Sequence, residues 1–133
     1  AGGIAEANGV AAAMELGASG VQLGTAFLLC DEALTSQVHR ATLESESAKH
    51  TALTNIFTGR PARAIVNLAM KELGPIHYGI PEFPLAAGAI TPLRTILEAQ
   101  GSGDFSPLWA GQNVTGCKAI SAAELTHELA SQL

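Results

Sequence analysis

The sequence has little charge, few aromatic side chains and no long apolar run. Only 14% of its 133 residues are charged and 5% are aromatic, whereas 47% are hydrophobic. A disordered chain combines low hydrophobicity with high net charge, so that class is excluded. No stretch approaches the roughly 20 uncharged apolar residues that cross a membrane. A chain of this length usually forms one domain with a buried core.

Basic residues are also scarce. Seven Lys and Arg stand against twelve Asp and Glu, which gives a net charge of −5. Nucleic-acid binding depends on Lys and Arg that neutralise phosphates, so we expect no nucleic-acid partner. The two cysteines, Cys30 and Cys117, lack the spacing of a metal site or a redox motif. We expect them to be reduced, buried thiols in a cytoplasmic protein.

The chain opens at Ala1–Ile4 rather than at a methionine, and no secretion signal follows. We therefore expect the natural protein to begin upstream of residue 1. Asn113–Thr115 matches the glycosylation sequon, but without a secretion signal we expect it to stay unmodified.

The first third of the chain reads as a strand end, a helix and a strand. Apolar residues recur at helical spacing over Glu6–Leu16, and Gly17 suits the left-handed position after a helix. The run Gly20–Gly24 is β-rich, short and bounded by glycines, which predicts a buried parallel strand. These elements together predict one βα repeat.

The remainder is predicted to be mainly helical. A capping box of Ser121 and Glu124 predicts a closing helix. In chain order we expect a helix over Asp31–Ser47, an extended Thr51–Phe57, a helix from Pro61 to Gly74, an irregular loop over Gly74–Ala89, a helix over Pro92–Gln100 and the closing helix over Ser121–Leu133.

Two glycine-rich segments, Ala1–Ile4 and Gln22–Thr25, give the strongest local signal. Each follows a predicted strand, and one helix joins them. Glycine exposes backbone N–H groups that a Cβ would shield, and successive N–H groups near a helix N-terminus form an anion site. In a (β/α)8 barrel a phosphate often binds the loops after strands seven and eight. The alternative is that these glycines only make tight turns; the Rossmann and Walker patterns are absent.

Four ordered motifs span nearly the whole chain: Ala1–Ile4, Glu15–Phe27 with the acidic pair Asp31–Glu32, Thr54–Arg63 and Pro107–Gln112. Together they resemble the nitronate monooxygenase family, formerly called 2-nitropropane dioxygenase. Related stretches occur in the FMN-dependent enoyl-acyl-carrier-protein reductases.

The resemblance implies an α/β fold that is the C-terminal part of a TIM (β/α)8 barrel with an appended helical segment. Residues 1–30 would form the last βα units of an FMN-binding barrel, and residues 31–133 a C-terminal helical segment packing on it. It also implies an FMN-dependent oxidoreductase that oxidises alkyl nitronates or nitroalkanes with O2.

The family's FMN contacts match Gly2, Gly3, Gln22, Gly24 and Thr25. By this resemblance, Gly3, Gly24 and Thr25 would hold the 5′-phosphate through backbone N–H groups and a hydroxyl. The family's catalytic histidine lies upstream of the Ala-Gly-Gly-Ile motif. The resemblance therefore places the catalytic base before residue 1.

Two alternatives remain open. One is an FMN-dependent enoyl-acyl-carrier-protein reductase, which uses a nicotinamide donor. The other is a non-catalytic phosphate-binding fragment. Because an isolated chain would lack most strands of a barrel, we expect it to self-associate and to bind FMN weakly.

The histidines form no metal-binding pattern. No two are four residues apart and no HExxH motif occurs, so we predict no metal site. His39 and His127 are predicted to be solvated on helices. His77, next to Tyr78 in a Pro/Gly loop, is the candidate for a substrate contact, because loops often carry functional residues.

Three other side chains have structural interpretations that compete with functional ones. Arg60 and Arg63 flank Pro61 at a predicted helix start, where we expect ion pairs on a helix surface rather than phosphate binding. Trp109 is predicted to anchor a core rather than to line a flavin site.

Overall fold

A computed structural model describes residues 2–133; Ala1, the first residue of the Ala-Gly-Gly-Ile motif, lies outside the described residues. The fold is α/β, with five α-helices, two 3₁₀ helices and one two-stranded antiparallel sheet among the described residues. No helix in this part of the chain has the length and hydropathy needed to cross a membrane.

The chain divides into two compact units. Unit 1 contains the residues up to Thr35 together with Gly111–Leu133, and unit 2 is Ser36–Ala110. The predicted boundary at residue 30 refers to the barrel of a longer protein and stays a prediction. The expected self-association also stays a prediction. The full exposure of the hydrophobic side chains of Leu34 and Tyr78 favours it. Sedimentation of the chain would test it.

Unit 1 begins with helix α1, Ala7–Glu15, close to the predicted bounds. Its end is a Schellman motif: the Gly17 N–H donates to the Met14 carbonyl, and the Ala18 N–H to the Ala13 carbonyl. Gly17 has φ +93°, a conformation that glycine adopts without a Cβ penalty. The prediction that Gly17 ends this helix is confirmed.

The closing helix of unit 1 is α5, Ala122–Leu129. The Ser121 hydroxyl accepts from the Glu124 N–H at 3.1 Å, as the predicted cap requires. Buried residues of α1, of a 3₁₀ helix at Thr25–Leu29 and of α5 form one core. Its members are Val10, Ala26, Cys30, Leu125 and Leu129.

The predicted strand over Gly20–Gly24 is wrong. These residues have no regular structure and lead into the 3₁₀ helix Thr25–Leu29. A strand is stabilised by a hydrogen-bonded neighbour, and within residues 2–133 no strand pairs with this run. Gln22 and Gly24 are exposed instead.

Unit 2 contains the sheet. Strand β1, Thr51–Thr54, pairs with β2, Ala62–Ile65, in antiparallel register with Thr51 opposite Ile65. The helix predicted to start at Pro61 is therefore wrong before Leu68, where the helix of this segment begins. Pairing with β1 satisfies the backbone of β2 and buries Ile65 completely, which outweighs the helical preference of its alanines.

The three helices of unit 2 are α2, Gln37–Leu43, α3, Leu68–Leu73, and α4, Leu85–Ala99, with a 3₁₀ helix at Glu46–Lys49. The predicted helix over Asp31–Ser47 is thus too long, because Ser36 caps α2 and the Ser45 hydroxyl donates to the Thr42 carbonyl just past its end. The predicted end of α3 at Gly74 is confirmed.

Helix α4 begins seven residues before the predicted start at Pro92, so the predicted loop over Gly74–Ala89 is too long. Proline removes a backbone donor from a helix interior. Pro92 and Gly88, four residues earlier, are both exposed, so water can satisfy the carbonyl that this proline leaves unpaired.

Candidate functional site

A cleft of about 90 Å³ in unit 1 brings the two glycine segments together. All five residues predicted to bind a cofactor line it: Gly2, Gly3, Gln22, Gly24 and Thr25. The other lining residues are Ile4, Leu23, Gly111 and Asn113. The cleft therefore brings the two glycine segments together, as the glycine pattern predicted, and adds residues from a third segment that is distant in sequence.

The glycines of the cleft face open space. A Cβ built on Gly2, Gly3 or Gly24 would meet no atom within 4 Å, so packing within the chain does not require glycine at Gly2 or Gly24. Gly3 has φ +88°, which favours glycine there on conformational grounds. Among residues 2–133, the N–H groups of Gly3 and Gly24 donate to no backbone carbonyl. These amides are available to a ligand.

Thr25 is held from two sides. Its Oγ1 accepts from the Gly111 N–H at 2.8 Å, and its carbonyl accepts from the Cys117 thiol at 3.0 Å. A hydroxyl that accepts one hydrogen bond keeps its own proton to donate. The Thr25 hydroxyl thus keeps a proton that it can donate, and its role as a cofactor contact stays a prediction.

The segment Gly111–Cys117 packs closely against the start of the chain. A Cβ on Gly116 would lie 2.0 Å from the Ala5 carbonyl oxygen, so only glycine fits there. A Cβ on Gly111 would lie 3.4 Å from Thr25 Oγ1. The short distances fix this segment beside the cleft.

Among the described residues, the side chains that line the cleft carry no ionisable group, so their donors to a bound anion would be neutral. The 3₁₀ helix after Gly24 has only five residues and adds little dipole. Burial, together with nearby Cys30, raises the pKa of Cys117 to about 11. The thiol therefore stays protonated at neutral pH and keeps its hydrogen bond to Thr25. Of the two thiols predicted to be buried, Cys30 is buried and Cys117 is half-buried.

The competing candidates belong to unit 2 and have partners there. The Arg60 guanidinium lies 4.5 Å from the centre of the Phe83 ring. Arg63 donates from Nη1 to the Thr51 carbonyl and hydroxyl, each at 3.2 Å. The expectation of ion pairs on a helix is thus wrong, because these arginines flank or lie on a strand.

The loop at His77 is tied to the turn after β1. Asn55 donates from Nδ2 to the His77 carbonyl and accepts from the His77 N–H, both at 3.0 Å. His77 Nδ1 accepts from the Gly79 N–H. These local contacts account for the histidine, and its substrate role stays a prediction.

Two further expectations concern unit 2. Trp109 packs edge-on against the buried Phe57 with ring centroids 5.7 Å apart, which supports the core-anchor interpretation. His39 is not solvated: its Nε2 is buried without a hydrogen-bond partner, and burial lowers the pKa of the ring. His127 is exposed, as predicted.

The cleft is too small for a whole nucleotide-like cofactor. Pockets that enclose such ligands have volumes of roughly 300–1,000 Å³, against 90 Å³ here. Its open glycine amides and hydroxyl are suited to one phosphate group at the end of a larger molecule. Within residues 2–133, no group of three or more His, Cys, Asp or Glu is placed to hold a metal ion.

Comparison with known proteins gives a consistent set of similarities. The family model described as "Nitronate monooxygenase" matches residues 1–132. A nitronate monooxygenase of Pseudomonas aeruginosa is 40% identical over 100% of this chain and 38% of its own length. A probable nitronate monooxygenase of Bacillus subtilis is 35% identical over 99% of this chain and 38% of its own length.

A solved structure shows the same arrangement of the backbone. The nitroalkane oxidase of Streptomyces ansochromogenes superposes with a TM-score of 0.89 at 37% identity, covering 99% of this chain and 38% of that one. This chain thus spans a little over a third of the length of the proteins it matches.

Proposed function

The chain belongs to the nitronate monooxygenase family, and on that basis we propose that it forms the FMN-phosphate-binding part of an enzyme that oxidises alkyl nitronates with O2. The single observation that supports this proposal is the cleft, which Gly3, Gly24 and Thr25 line and in which the two glycine N–H groups donate to no backbone carbonyl of the described residues. The proposal includes a TIM barrel in the whole protein, to which residues 1–30 would contribute the last βα units.

The dimensions of the cleft favour FMN among the flavins. FMN ends in a single phosphate, whereas FAD continues through a second phosphate to a nucleoside. A space of about 90 Å³, with Gly111 among its lining residues, suits the terminal phosphate. Riboflavin, which has no phosphate, would lose this contact entirely.

The residues of this chain would bind and orient the cofactor rather than act on the substrate. When bound, FMN supplies the redox chemistry of nitronate oxidation. Gly3 and Gly24 would donate backbone N–H groups to the phosphate, and Thr25 its hydroxyl. From the family resemblance, we propose that the base that handles the substrate proton lies outside residues 1–133.

Gly24→Ala tests the cleft. Its new Cβ meets no protein atom within 4 Å, so the fold should persist while the methyl group shields the amide. We expect FMN and inorganic phosphate to bind about tenfold more weakly, equivalent to about 1.4 kcal/mol. Amide NMR titration of the chain measures this.

Gly20→Ala is the matched control. Its Cβ also meets nothing within 4 Å, and Gly20 does not line the cleft. We expect it to bind as the wild type does. Equal binding by both variants would refute the proposed site. Nitronate-dependent O2 uptake by the whole enzyme, against reduction of an enoyl thioester by NAD(P)H, tests the reaction itself.

A further inference from the structure

Asn113 lines the cleft, but the proposed function assigns no role to it. It comes from a loop about 90 residues along the chain from the glycine segments, and it is half-buried beside Gly24 and Thr25. Its sequence context, Asn-Val-Thr, resembles a glycosylation sequon. In the structure, the two-residue spacing of Asn113 and Thr115 allows a hydrogen bond between their side chains.

The orientation of the Asn113 amide is fixed by Thr115. Asn113 Oδ1 accepts from the Thr115 N–H at 3.0 Å and from the Thr115 hydroxyl at 2.7 Å. A backbone N–H only donates, so the atom facing it must be the amide oxygen. The amide nitrogen Nδ2, which carries two N–H donors, takes part in neither of these hydrogen bonds. Within residues 2–133, no hydrogen bond engages it.

The backbone around Asn113 is anchored on both sides. Gly111 donates to Thr25 Oγ1 at 2.8 Å, and Cys117 donates to the Thr25 carbonyl at 3.0 Å. Gly116 presses against the Ala5 carbonyl with no room for a Cβ. A side chain held on such a short, clamped segment is pre-organised, so ligand binding costs little conformational entropy.

We propose that Asn113 is an anion-binding residue of the cleft and donates from Nδ2 to the phosphate held by Gly3 and Gly24. The inference rests on the proposed function and adds a fourth donor to it. Because the lining has no charged side chain, a neutral amide is a substantial part of the available stabilisation.

Asn113→Asp is the sharpest test. The carboxylate has the shape of the amide and accepts the same two hydrogen bonds from Thr115, so the turn is retained. It replaces the donor with a negative charge that repels phosphate. We expect inorganic phosphate and FMN to bind at least about tenfold more weakly. Asn113→Ala, which removes the donor without adding charge, should weaken binding about threefold.

Asn8→Asp is the matched control. Asn8 is exposed in unit 1 and does not line the cleft, and the change in net charge is the same. Asn8 borders a different cavity, together with Glu6 and Lys118, and salt screens exposed charges. We expect this variant to bind phosphate within twofold of the wild type.

Amide NMR titrations with inorganic phosphate, FMN and riboflavin separate the outcomes. If Asn113→Asp binds no more weakly than Asn8→Asp while the Gly3 and Gly24 amides still shift with phosphate, the role of Asn113 is overturned and the proposed function stands. If phosphate and FMN shift neither glycine amide in the wild type, the proposed function fails and this inference fails with it. Unchanged spectra elsewhere in the variants exclude loss of the fold.

Discussion

Two asparagines, one in each unit, use their side chains in opposite ways. Asn67 in unit 2 is buried and fully engaged: Nδ2 donates to the Gly103 and Ser106 carbonyls, and Oδ1 accepts from the Met70 N–H. Asn113 in unit 1 uses only its oxygen. Whether a polar side chain is structural or available to a ligand thus depends on how many of its hydrogen-bonding groups already have partners, rather than on the residue type.

Two glycines repeat the contrast. A Cβ on Gly59 in unit 2 would lie 2.5 Å from the Phe83 nitrogen and from the Pro81 carbonyl oxygen, so glycine is required by packing. A Cβ on Gly24 in unit 1 would enter open space. Gly59 is therefore required by the fold of unit 2, whereas Gly24 faces the cleft of unit 1.

The largest expected effect is that of Asn67→Ala. It removes three hydrogen bonds, two to the Gly103 and Ser106 carbonyls and one from the buried Met70 N–H in the first turn of α3. We therefore expect the free energy of unfolding to fall by about 3 kcal/mol. Asn113→Ala should cost less than about 1 kcal/mol, because its contacts are exposed. Urea unfolding of both variants measures the difference; equal losses would break the contrast between the asparagines.

Gly59→Ala should have the next largest effect. The methyl group collides with backbone atoms, and φ of +86° strains any residue with a Cβ. We expect a loss of about 2 kcal/mol or more. Gly24→Ala should stay within about 0.5 kcal/mol of the wild type, as surface changes usually do. Thermal unfolding followed by circular dichroism compares the pair, and a tolerated Gly59→Ala would contradict the packing argument.

The smallest expected effect is a pH dependence confined to His39. Burial lowers the pKa of His39 below its ordinary value of 6.5. A hydrogen bond with the Trp109 backbone and the charge of Glu98 partly oppose this shift, and the charge of Arg94 adds to it weakly. The unfolded chain then takes up the proton first as the pH falls. The contribution of neutral His39 to stability is thus complete above pH 6.5 and is lost as the pH falls through the lowered pKa of the folded chain.

Urea midpoints at pH 7.5, 6 and 5 measure this dependence. His39→Gln should flatten the profile between pH 6.5 and 5, whereas the same substitution at exposed His127 should leave it unchanged. A profile that both variants share with the wild type would show that His39 does not sense pH.

Local sequence signals predicted the helix ends that depend only on neighbouring residues. Gly17 and the Ser121 cap define the ends of α1 and α5 because a positive φ or a capping hydroxyl acts within a few residues. The strand over Gly20–Gly24 and the helix at Pro61 were wrong because their outcome depends on a pairing partner. β2 has such a partner in β1, and the run Gly20–Gly24 has none within the described residues.

The candidate site was predicted in part for the same reason. Gly3, Gly24 and Thr25 carry a recognisable motif, and the cleft brings them together. Gly111 lay inside a motif without an assigned role, and Asn113 was interpreted as a sequon. Their contribution depends on contacts such as the one between Gly111 and Thr25, which spans 86 residues. No short window of sequence contains that information.

The close approach of Gly116 to Ala5 has a consequence for biosynthesis. A ribosome delivers the first glycines of the cleft long before it delivers the segment that clamps them. The cleft cannot be complete until residues beyond Gly116 have left the exit tunnel. A phosphate ligand would then meet the complete cleft only after this stretch has been translated.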